Sequence, residues 1–400
     1  MMMNALFKPL SGEACELLTA LNICIDTTYP LPRKFIITLP RTIAELSRLL
    51  TSARPERNGG YLSDPAMLNA YMRYFLMWNV YRLCKLFSSS DIQDCIASAL
   101  LHDTDDERAP SIIDLGAGPL TLALALWISF PQLRSQKITL FALDHNRAAL
   151  EAGRKLFSAF AGEGAAWKIK TIHGDIYHTG IAHKLPPARL VCAVHLFNES
   201  FWKIPQTDAG QQAQFTAKQA AFIAQLVSAH GAALVVEPGI PRCAQFISAL
   251  KEAFEAQHLQ IEAPCPPSTP CALRGGKRGS KWCHFSFDID DSPPALQKLS
   301  ASAGLAKEKA VLSFLLAKKL ATKQGVEKTD ALTFRIISDC FPLTEAGNEY
   351  GRYACSKRGL ALLSGVKQAI ASCSSGTLLH IDNPVPQGRD TKSGALVFSV

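Results

Sequence analysis

The sequence has no apolar run long enough to cross a membrane. Its longest runs, such as TLALALWISF, are much shorter than the about 20 residues that a bilayer requires. The opening segment, MMMNALFKPLSGEACELLTALN, lacks the basic patch, apolar core and small-residue cleavage site of an export signal. It also carries acidic residues, which presequences for mitochondrial import contain rarely. We therefore expect a cytoplasmic location without a membrane partner, with the mitochondrial matrix as the less favoured alternative.

Charged residues are few, and internal repeats and low-complexity segments are absent. Charged residues make up 19% of the 400 residues, against about 25% in an average protein. Hydrophobic residues reach 48%, which is ample for a folded core, and the length predicts two or three domains. The net charge of +8 is a modest basic excess, compatible with a nucleic-acid partner without requiring one.

Cysteine is plentiful, with 12 residues, and in a reducing cytoplasm thiols stay free or bind metal. Three of them, Cys265, Cys271 and Cys283, stand in the loop APCPPSTPCALRGGKRGSKWCHF. This loop has too little apolar surface to order itself by burial. Three thiolates that converge on a metal or an iron–sulfur cluster would order it. The alternative is that these cysteines are free thiols without a shared ligand. That interpretation explains the cysteines in apolar runs, because free cysteine is often buried.

Three ligands need a fourth, for which the chain offers Cys355, with Cys340, Cys243 and His284 as rivals. The same loop is basic and lies beside Trp282. Basic residues that alternate with glycine favour contact with phosphates, although a solvated surface is the simpler interpretation. The candidate RNA contacts are Arg274, Lys277, Arg278 and Lys281.

Helix and strand patterns divide the chain into three regions. Residues 1–105 are predicted to be helical, with an aromatic stripe that packs on the next domain. Residues 106–290, which include the cysteine-rich loop 263–285, alternate short apolar runs with helical patterns. This alternation predicts an α/β fold with βαβ units and a mostly parallel sheet. Residues 291–400 contain short β-like runs, which predict a small antiparallel module of the OB-like or barrel type.

Glycines and acids follow the predicted parallel strands, where ligands of such sheets bind. The turn DLGAGPLT supplies Asp114, Gly116 and Gly118, the second strand ends at Asp144, and Asp175 follows the third. The glycines allow a tight turn beside a ligand, and the carboxylate after the second strand can accept hydrogen bonds from ribose hydroxyls. Together these motifs resemble the class I S-adenosylmethionine-dependent methyltransferases (Rossmann-like fold). A dinucleotide dehydrogenase competes, but a full GxGxxG is missing.

Two features depart from that pattern. Leu120 occupies the place where a further glycine commonly stands, and HLFNES replaces the Asn/Asp-Pro-Pro-Tyr/Phe segment that positions an amino nitrogen. Asn198 and Glu199 are the only catalytic candidates, and they equally suit a helix cap. We therefore expect cofactor binding rather than demonstrable methyl transfer.

Several segments resemble, in order, the mitoribosomal small-subunit methyltransferase-like family: YLSDPAMLNAYMRYFLMWN, DLGAGPLT, VVEPGIP, APCPPSTPCAL, WCHFSF and RYACSKRG. The resemblance covers about residues 55 to 365. It implies a methyltransferase-like fold, association with the small ribosomal subunit during assembly, and a [4Fe–4S] cluster. The cluster ligands it implies are Cys265, Cys271, Cys283 and Cys355.

The resemblance is incomplete beside two of these ligands, where Pro267 replaces a histidine and Ala272 a proline. Zinc remains the alternative metal. Structural zinc sites use closely spaced cysteine pairs, whereas the wider spacing here favours an iron–sulfur cluster. We expect a protein of the bacterial cytoplasm that binds S-adenosylmethionine and rRNA and is monomeric off the ribosome. It either methylates the small subunit or serves as a non-catalytic assembly factor.

Overall fold

The computed structural model describes residues 2–53, 60–101, 109–178, 180–181, 184–266, 271–273, 281–319, 332–344 and 347–400. None of the helices in these ranges is both long and apolar enough to span a bilayer.

The helices of the described ranges are α1 (Gly12–Thr28), α2 (Arg33–Leu50), α3 (Pro65–Ala70), α4 (Met77–Phe87), α5 (Ser90–Leu101), α6 (Thr121–Ser129), α7 (Arg147–Ala161), α8 (Phe197–Phe201), α9 (Ala209–Leu226), α10 (Pro241–Ala256), α11 (Pro294–Ser302) and α12 (Lys367–Ser372). A π-helical segment, Tyr71–Leu76, joins α3 to α4. The strands are β1 (Met2–Asn4), β2 (Ser111–Leu115), β3 (Thr139–Asp144), β4 (Lys168–His173), β5 (Ala188–Val194), β6 (Val227–Glu237), β7 (Leu259–Ala263), β8 (Phe285–Asp288), β9 (Lys309–Lys319), β10 (Leu332–Ile336), β11 (Phe341–Pro342), β12 (Tyr350–Ser356), β13 (Gly359–Gly365), β14 (Leu378–Ile381), β15 (Gly388–Arg389) and β16 (Leu396–Ser399).

The central sheet has the strand order β4-β3-β2-β5-β6-β9-β7, and β8 pairs with part of β9. Strands β2 to β6 run parallel, whereas β9 runs antiparallel to both of its neighbours. Numbered along the chain without β8, this order is 3-2-1-4-5-7-6 with a reversed seventh strand. That is the topology of class I S-adenosylmethionine-dependent methyltransferases, so the predicted fold class is confirmed.

Alternate residues of each strand enter two different cores, as expected for a sheet covered on both faces. On β5, Leu190 and Cys192 pack in one core with α1, α4, α6 and α7, while Val191 and Ala193 pack in the other with α9 and α10. Almost all of these strand residues are fully buried. Near-continuous apolar runs in the sequence are the consequence of this double burial.

The helical N-terminal region is fixed to the rest of the chain by polar contacts at a buried interface. Trp78 donates its indole N–H to Ser300 Oγ at 3.0 Å, and Lys85 Nζ lies 2.8 Å from Asp291 Oδ2. Both cation and indole are buried. The aromatic stripe of this region therefore packs as the sequence predicted.

The sheet extends beyond the boundary expected at residue 290. The lysine-flanked run that begins at Lys309 forms β9, which lies between β6 and β7 at the centre of an antiparallel group. Its inner residues are buried on both faces, which is why AVLSFLL has no alternation of polar and apolar residues. The methyltransferase-like domain therefore includes residues up to Lys319.

The second sheet has the order β1-β14-β10-β12-β13-β16-β15, with β11 paired to β12. Most pairs are antiparallel, as predicted, but β13 and β16 run parallel. No ladder joins β1 to β15 in the described ranges, so the sheet is open rather than a closed barrel. Its strand β1 comes from the region expected to be mainly helical, since Met2–Asn4 pairs with β14.

Candidate cofactor and metal sites

The glycine turn lies between β2 and α6, at the carboxyl end of the parallel strands. Gly116 and Gly118 have φ values of +70° and +50°, which glycine adopts without steric cost. A Cβ on Gly116 would lie 2.6 Å from Cδ1 of Leu196, whereas one on Gly118 would meet no described atom within 4 Å. Gly116 therefore makes room for a packed side chain, and Gly118 faces open space.

Leu120 adopts a left-handed backbone conformation of the kind that favours glycine. Its φ is +63° and its side chain is fully buried at the N-cap of α6. A left-handed conformation costs a residue with a Cβ about 1–2 kcal/mol. Burial of the leucine side chain offsets this cost, so a leucine is accommodated at this position of the turn.

Asp144 closes the turn from the neighbouring strand. Its Oδ2 accepts the N–H of Gly118 at 2.8 Å, and its Oδ1 accepts the N–H of Asn146 at 2.7 Å. Asn146 in turn caps α7 by accepting the N–H of Ala149 at 2.9 Å. The carboxylate predicted to bind ribose thus also connects the ends of β2 and β3.

Three buried polar atoms at this edge have no hydrogen-bond partner in the described ranges: Asp114 Oδ2, His195 Nδ1 and Arg82 Nε. Burial, with a smaller contribution from Asp144, raises the pKa of Asp114 well above its usual range. Burial and the nearby Arg82 charge lower the pKa of His195 to about 3. Unsatisfied buried polar atoms are rare, so this group fits a polar ligand.

Sequence reasoning missed two members of that group, Arg82 and His195. The available signal was a charged or titratable residue inside an otherwise apolar run, as in NVYRLCKLF and VCAVHLF. His195 also has a φ of +57°, a rare conformation outside glycine that marks it as a residue fixed by its surroundings.

Two cavities lie along this edge. The smaller, about 20 Å³, is bounded by Asp114, the glycine turn and His195 on one side and by Tyr71 and Asn79 of the N-terminal region on the other. The larger, about 470 Å³, lies over the ends of β3 and β4 and is lined by His145, His173 and Ser63 among others. Residues from the N-terminal region therefore cover both.

The remaining candidates at this edge have mainly structural contacts. Asp175 is exposed, and its Oδ1 accepts the N–H of Tyr177 at 2.9 Å. Asn198 is buried and donates its side-chain amide to the carbonyl of His195 at 2.7 Å. Glu199 lies beside it in the short helix α8. The Asn198 amide therefore holds the strand end in place rather than pointing toward a substrate.

Glu237 holds the same segment from β6. Its carboxylate accepts the main-chain N–H groups of Phe197 at 2.7 Å and of Asn198 at 3.3 Å. Burial raises the pKa of Glu237 to about 8, although these hydrogen bonds act in the opposite direction. The HLFNES segment is thus fixed by a buried acid that sequence reasoning did not identify.

The four cysteines implied by the resemblance act on one another electrostatically. Burial is the largest cause that raises the pKa of the Cys283 thiol. The charges of Cys265, Cys355 and Cys271 raise it further. Burial and Cys271 likewise raise the pKa of Cys265 to about 12, and burial, Cys271 and Cys265 raise that of Cys355. The structure therefore brings these four thiols into one neighbourhood, where the central sheet meets the second sheet.

Ordered contacts hold this neighbourhood at several points. The Cys271 thiol lies 3.4 Å from Ser248 Oγ and accepts the N–H of Leu273 at 3.4 Å. Ser313 Oγ donates to the carbonyl of Cys283 at 2.7 Å. Strand β7 precedes Cys265, β8 follows Cys283 and β12 carries Cys355. Three of the thiols therefore lie on or near strands, and Cys271 lies in the loop between β7 and β8.

The rival fourth ligands have other contacts. Cys340 packs against the core of the second sheet, and Cys243 is buried in α10. The ring of His284 stacks on that of Trp282, with the ring centroids 4.9 Å apart, and its Nδ1 lies 3.1 Å from the Trp282 carbonyl oxygen. None of the three is among the charges that act on the thiol pKa values given above.

In the part of the chain that the structure describes, no three His, Cys, Asp or Glu side chains form a group that could hold a metal ion. The iron–sulfur cluster that the resemblance implies, and its zinc alternative, therefore remain predictions.

The basic loop is only partly described. Arg274, Lys277 and Arg278 lie outside the described residues. Lys281 is described, and its ammonium lies 3.7 Å from the centroid of the Tyr353 ring. Tyr353 donates to Asp390 at 3.2 Å, so Lys281 contacts the second sheet two residues before Cys283.

A family model described as mitochondrial small ribosomal subunit Rsm22 matches residues 80–340, well over half of the chain. The chain belongs to the Rsm22 family. The match begins in α4 and ends after β10, so it includes the whole central sheet and three of the four grouped thiols. The resemblance stated from the sequence motifs is therefore confirmed. No curated protein matches this Rsm22 family member significantly.

Solved structures that align with this Rsm22 family member include methyltransferases of low sequence identity. Precorrin-6y C5,15-methyltransferase from Geobacter metallireducens is 12% identical, with 57% of this chain and 88% of that chain covered and a TM-score of 0.31. A methyltransferase from Pyrococcus furiosus is 10% identical (57% and 94% covered, TM-score 0.30). Aeropyrum pernix fibrillarin with bound S-adenosyl-L-methionine is 11% identical (56% and 76% covered, TM-score 0.28). The fold assignment rests on the strand order, not on these alignments.

Proposed function

We propose that this protein is an assembly factor of the small ribosomal subunit that binds S-adenosylmethionine and a [4Fe–4S] cluster and does not depend on methyl transfer. Its family membership, over residues 80–340, is the observation that carries the ribosomal role. It works in the bacterial cytoplasm and is monomeric off the ribosome.

The residues at the glycine turn fit S-adenosylmethionine at both ends. The unpartnered, buried Asp114 carboxyl suits an ammonium group such as that of a methionine moiety. Asp144 lies where a ribose could contact it, and the cavity of about 470 Å³ at the next strand ends has space for a nucleoside. The cavity of about 20 Å³ at the turn is too small for the methionine part of S-adenosylmethionine. Binding therefore requires Tyr71 and Asn79 to move outward.

When bound, S-adenosylmethionine supplies an electrophilic methyl group. What this chain contributes around it is shape and charge rather than a reactive side chain. Asn198 is engaged with the carbonyl of His195, and the segment that carries it is fixed by Glu237. These contacts favour a binding role for the pocket over methylation of a substrate.

A [4Fe–4S] cluster held by Cys265, Cys271, Cys283 and Cys355 is what the resemblance implies, and the effects of these four thiols on one another's pKa values support their proximity. Iron–sulfur clusters are commonly held by four cysteine thiolates. The cluster would connect the central sheet to the second sheet and would hold Cys271 and Cys283, the cysteines on either side of the basic residues in the sequence.

The test has two parts. Protein purified without oxygen is analysed for iron, acid-labile sulfide and absorption near 400 nm, and its binding to immature small subunits is measured with and without the cluster. We expect about four iron and four sulfide per chain, and weaker subunit binding after cluster removal. Colourless protein with stoichiometric zinc would contradict the cluster. Equal subunit binding by apo and loaded protein would contradict its role in recognition.

Methylation of rRNA or of a ribosomal protein is the second candidate, favoured by the complete class I strand order. Transfer of labelled methyl groups to immature subunits separates the two functions. Label incorporation by the wild type that disappears in Asp114→Ala would establish methylation. Subunit binding without incorporation would leave the assembly role.

A further inference from the structure

Arg82 of α4 is a cation beside the small cavity at the glycine turn. Its Nη1 donates to Asn79 Oδ1 at 2.8 Å, and Asn79 lines that cavity together with Asp114 and His195. The charge of Arg82 also contributes to the low pKa of His195. The helical N-terminal region therefore places a guanidinium next to a cavity whose other wall is the end of the central sheet.

This guanidinium has no compensating anion among the described residues. Its Nε is buried without a hydrogen-bond partner, and no described carboxylate lies within ion-pair distance of it. Burial lowers the pKa of Arg82 to about 10, and the group whose charge opposes this shift is Tyr74, a phenol that is neutral at neutral pH. Arg73, a buried arginine of the same region, differs because its Nε lies 3.1 Å from Asp26 Oδ1. Buried charges are normally paired, so Arg82 is suited to an anionic group of a ligand.

Asp114 offers the opposite charge at the same cavity. It is 1% exposed, and its Oδ2 has no hydrogen-bond partner in the described ranges. Asp114 and Arg82 do not compensate each other, since the charge that acts on Asp114 is that of Asp144, which with burial raises the pKa of Asp114. A bound cation would favour its ionised form. The cavity thus has one unpaired acid and one unpaired base, which come from different parts of the chain.

We propose that Arg82 binds the α-carboxylate of S-adenosylmethionine while Asp114 binds the α-ammonium group, so that the site recognises the whole amino-acid end of the cofactor. The inference rests on the proposed cofactor binding and adds the carboxylate contact to it. A guanidinium presents its N–H donors in a planar fork that matches a carboxylate, and the Nε of Arg82 is a donor still unused.

This arrangement makes the N-terminal region a part of the cofactor site. Arg82 lies on α4, which packs against α6, and α6 begins directly after the glycine turn. Asp114 lies on β2. A ligand that carries both an ammonium and a carboxylate would therefore connect α4 to the central sheet, whereas a ligand without the carboxylate would contact only the sheet. The difference between two such ligands isolates the contribution of Arg82.

The experiment measures the binding of three ligands by calorimetry. They are S-adenosylmethionine, its decarboxylated form, which lacks only the carboxylate, and 5′-methylthioadenosine, which lacks the whole amino-acid end. We expect the wild type to bind S-adenosylmethionine roughly ten- to a hundredfold more tightly than the decarboxylated form, because one charge-assisted contact is lost. Thermal unfolding without ligand shows whether each variant is folded.

Three variants assign that preference to named residues. Arg82→Met should bind S-adenosylmethionine only about as tightly as the decarboxylated form, for which its affinity should equal that of the wild type. Asp114→Asn should weaken the binding of both amino ligands and leave 5′-methylthioadenosine unaffected. Arg73→Met is the matched control, since it removes a buried arginine that already has an acid partner, and it should keep the wild-type preference.

Equal affinity of the wild type for S-adenosylmethionine and its decarboxylated form would overturn the inference, and this comparison holds even if Arg82→Met does not fold. A folded Arg82→Met that keeps the preference would also overturn it. The same holds if Arg73→Met loses the preference equally, which would indicate general damage to the N-terminal region. A wild type that binds none of the three ligands contradicts the proposed cofactor itself. One that binds S-adenosylmethionine and 5′-methylthioadenosine equally keeps the cofactor and refutes only the recognition of its amino-acid end.

Discussion

The main-chain N–H of Gly118 donates a hydrogen bond of 2.8 Å to Asp144 Oδ2. This bond joins the turn after β2 to the end of β3, which are the two places where a nucleotide cofactor would contact the sheet. One carboxylate oxygen therefore has a structural partner before any ligand arrives. The first predictions separate these structural and binding contributions.

Asp144→Ala should lower both stability and cofactor affinity. The variant leaves the N–H groups of Gly118 and Asn146 without their charged acceptor, and hydrogen bonds to charged groups contribute about 1.5–3 kcal/mol. Urea unfolding should show a loss of that size, and calorimetry should show S-adenosylmethionine binding weakened roughly ten- to a hundredfold. Asp175→Ala, at an exposed acid on the next strand, is the control and should be close to wild type in stability. Equal stability of both variants would contradict the structural role of Asp144.

Alanine at the two glycines of the turn should have different effects. Both substitutions place a side chain at positive φ, at a cost of about 1–2 kcal/mol. Gly116→Ala additionally brings its Cβ within 2.6 Å of Leu196, whereas Gly118→Ala projects into open space. Thermal unfolding should therefore show the larger loss for Gly116→Ala. Calorimetry should show lost cofactor binding in Gly118→Ala with the fold retained, and full affinity in that variant would place the cofactor elsewhere.

Acid should destabilise the protein through His195. Its pKa is about 3 in the folded chain against about 6.5 when unfolded, so the unfolded state binds the extra proton between these values. Stability from this group is fully present above pH 6.5 and falls as the pH is lowered, by about 2 kcal/mol near pH 5. His195→Asn keeps a residue that tolerates positive φ and removes the titration. Unfolding curves from pH 7 to 5 should be flatter for the variant, and parallel curves would show that His195 is not buried in its neutral form.

Cys355→Ser and Cys340→Ser should differ in iron content. Besides burial, the charges of Cys271 and Cys265 raise the pKa of the Cys355 thiol, whereas Cys340 packs against the core of the second sheet. Anaerobically purified Cys355→Ser should lose the 400 nm absorption and most of its iron, and Cys340→Ser should retain both. The reverse result would indicate that Cys340, not Cys355, is the fourth ligand.

The basic loop should contact rRNA through Arg274, Lys277, Arg278 and Lys281. Lys281 is exposed, and its ammonium also lies 3.7 Å from the centroid of the Tyr353 ring. Replacing Arg274, Lys277 and Arg278 together with alanine should weaken binding to small subunits and reduce its salt dependence, by at most about one unit of slope per lost phosphate contact. Filter binding over a range of salt concentrations measures both quantities. An unchanged slope would show that the loop is solvated surface.

The sequence was most informative about the parallel strands and least informative about long-range pairing. SIIDLG, ITLFALD and ARLVCAVHLFN have apolar runs bounded by acids and glycines, which predict buried parallel strands directly. The run that forms β9 has the same composition, but its insertion between β6 and β7 depends on partners more than 50 residues away in the chain. Local periodicity cannot show which of two sheets a strand joins.

The candidate sites show the same limit. Asp114, Gly116 and Asp144 could be proposed from the sequence because they lie at or just after the ends of β2 and β3. Arg82 and His195 could not, since each is one charged or titratable residue in an apolar run, and its importance depends on neighbours contributed by other elements. Leu120 is a different case, because a left-handed backbone conformation at a leucine has no signal in the sequence.

The pairing of β1 with β14 has a consequence for synthesis of the chain. Met2–Asn4 are made more than 370 residues before their partners, His380 to Leu378. Until those partners are made, the backbone groups of Met2–Asn4 are unpaired and available to other chains. Deletion of Met2–Asn4 should therefore leave the edge of β14 without this strand while leaving the central sheet able to form.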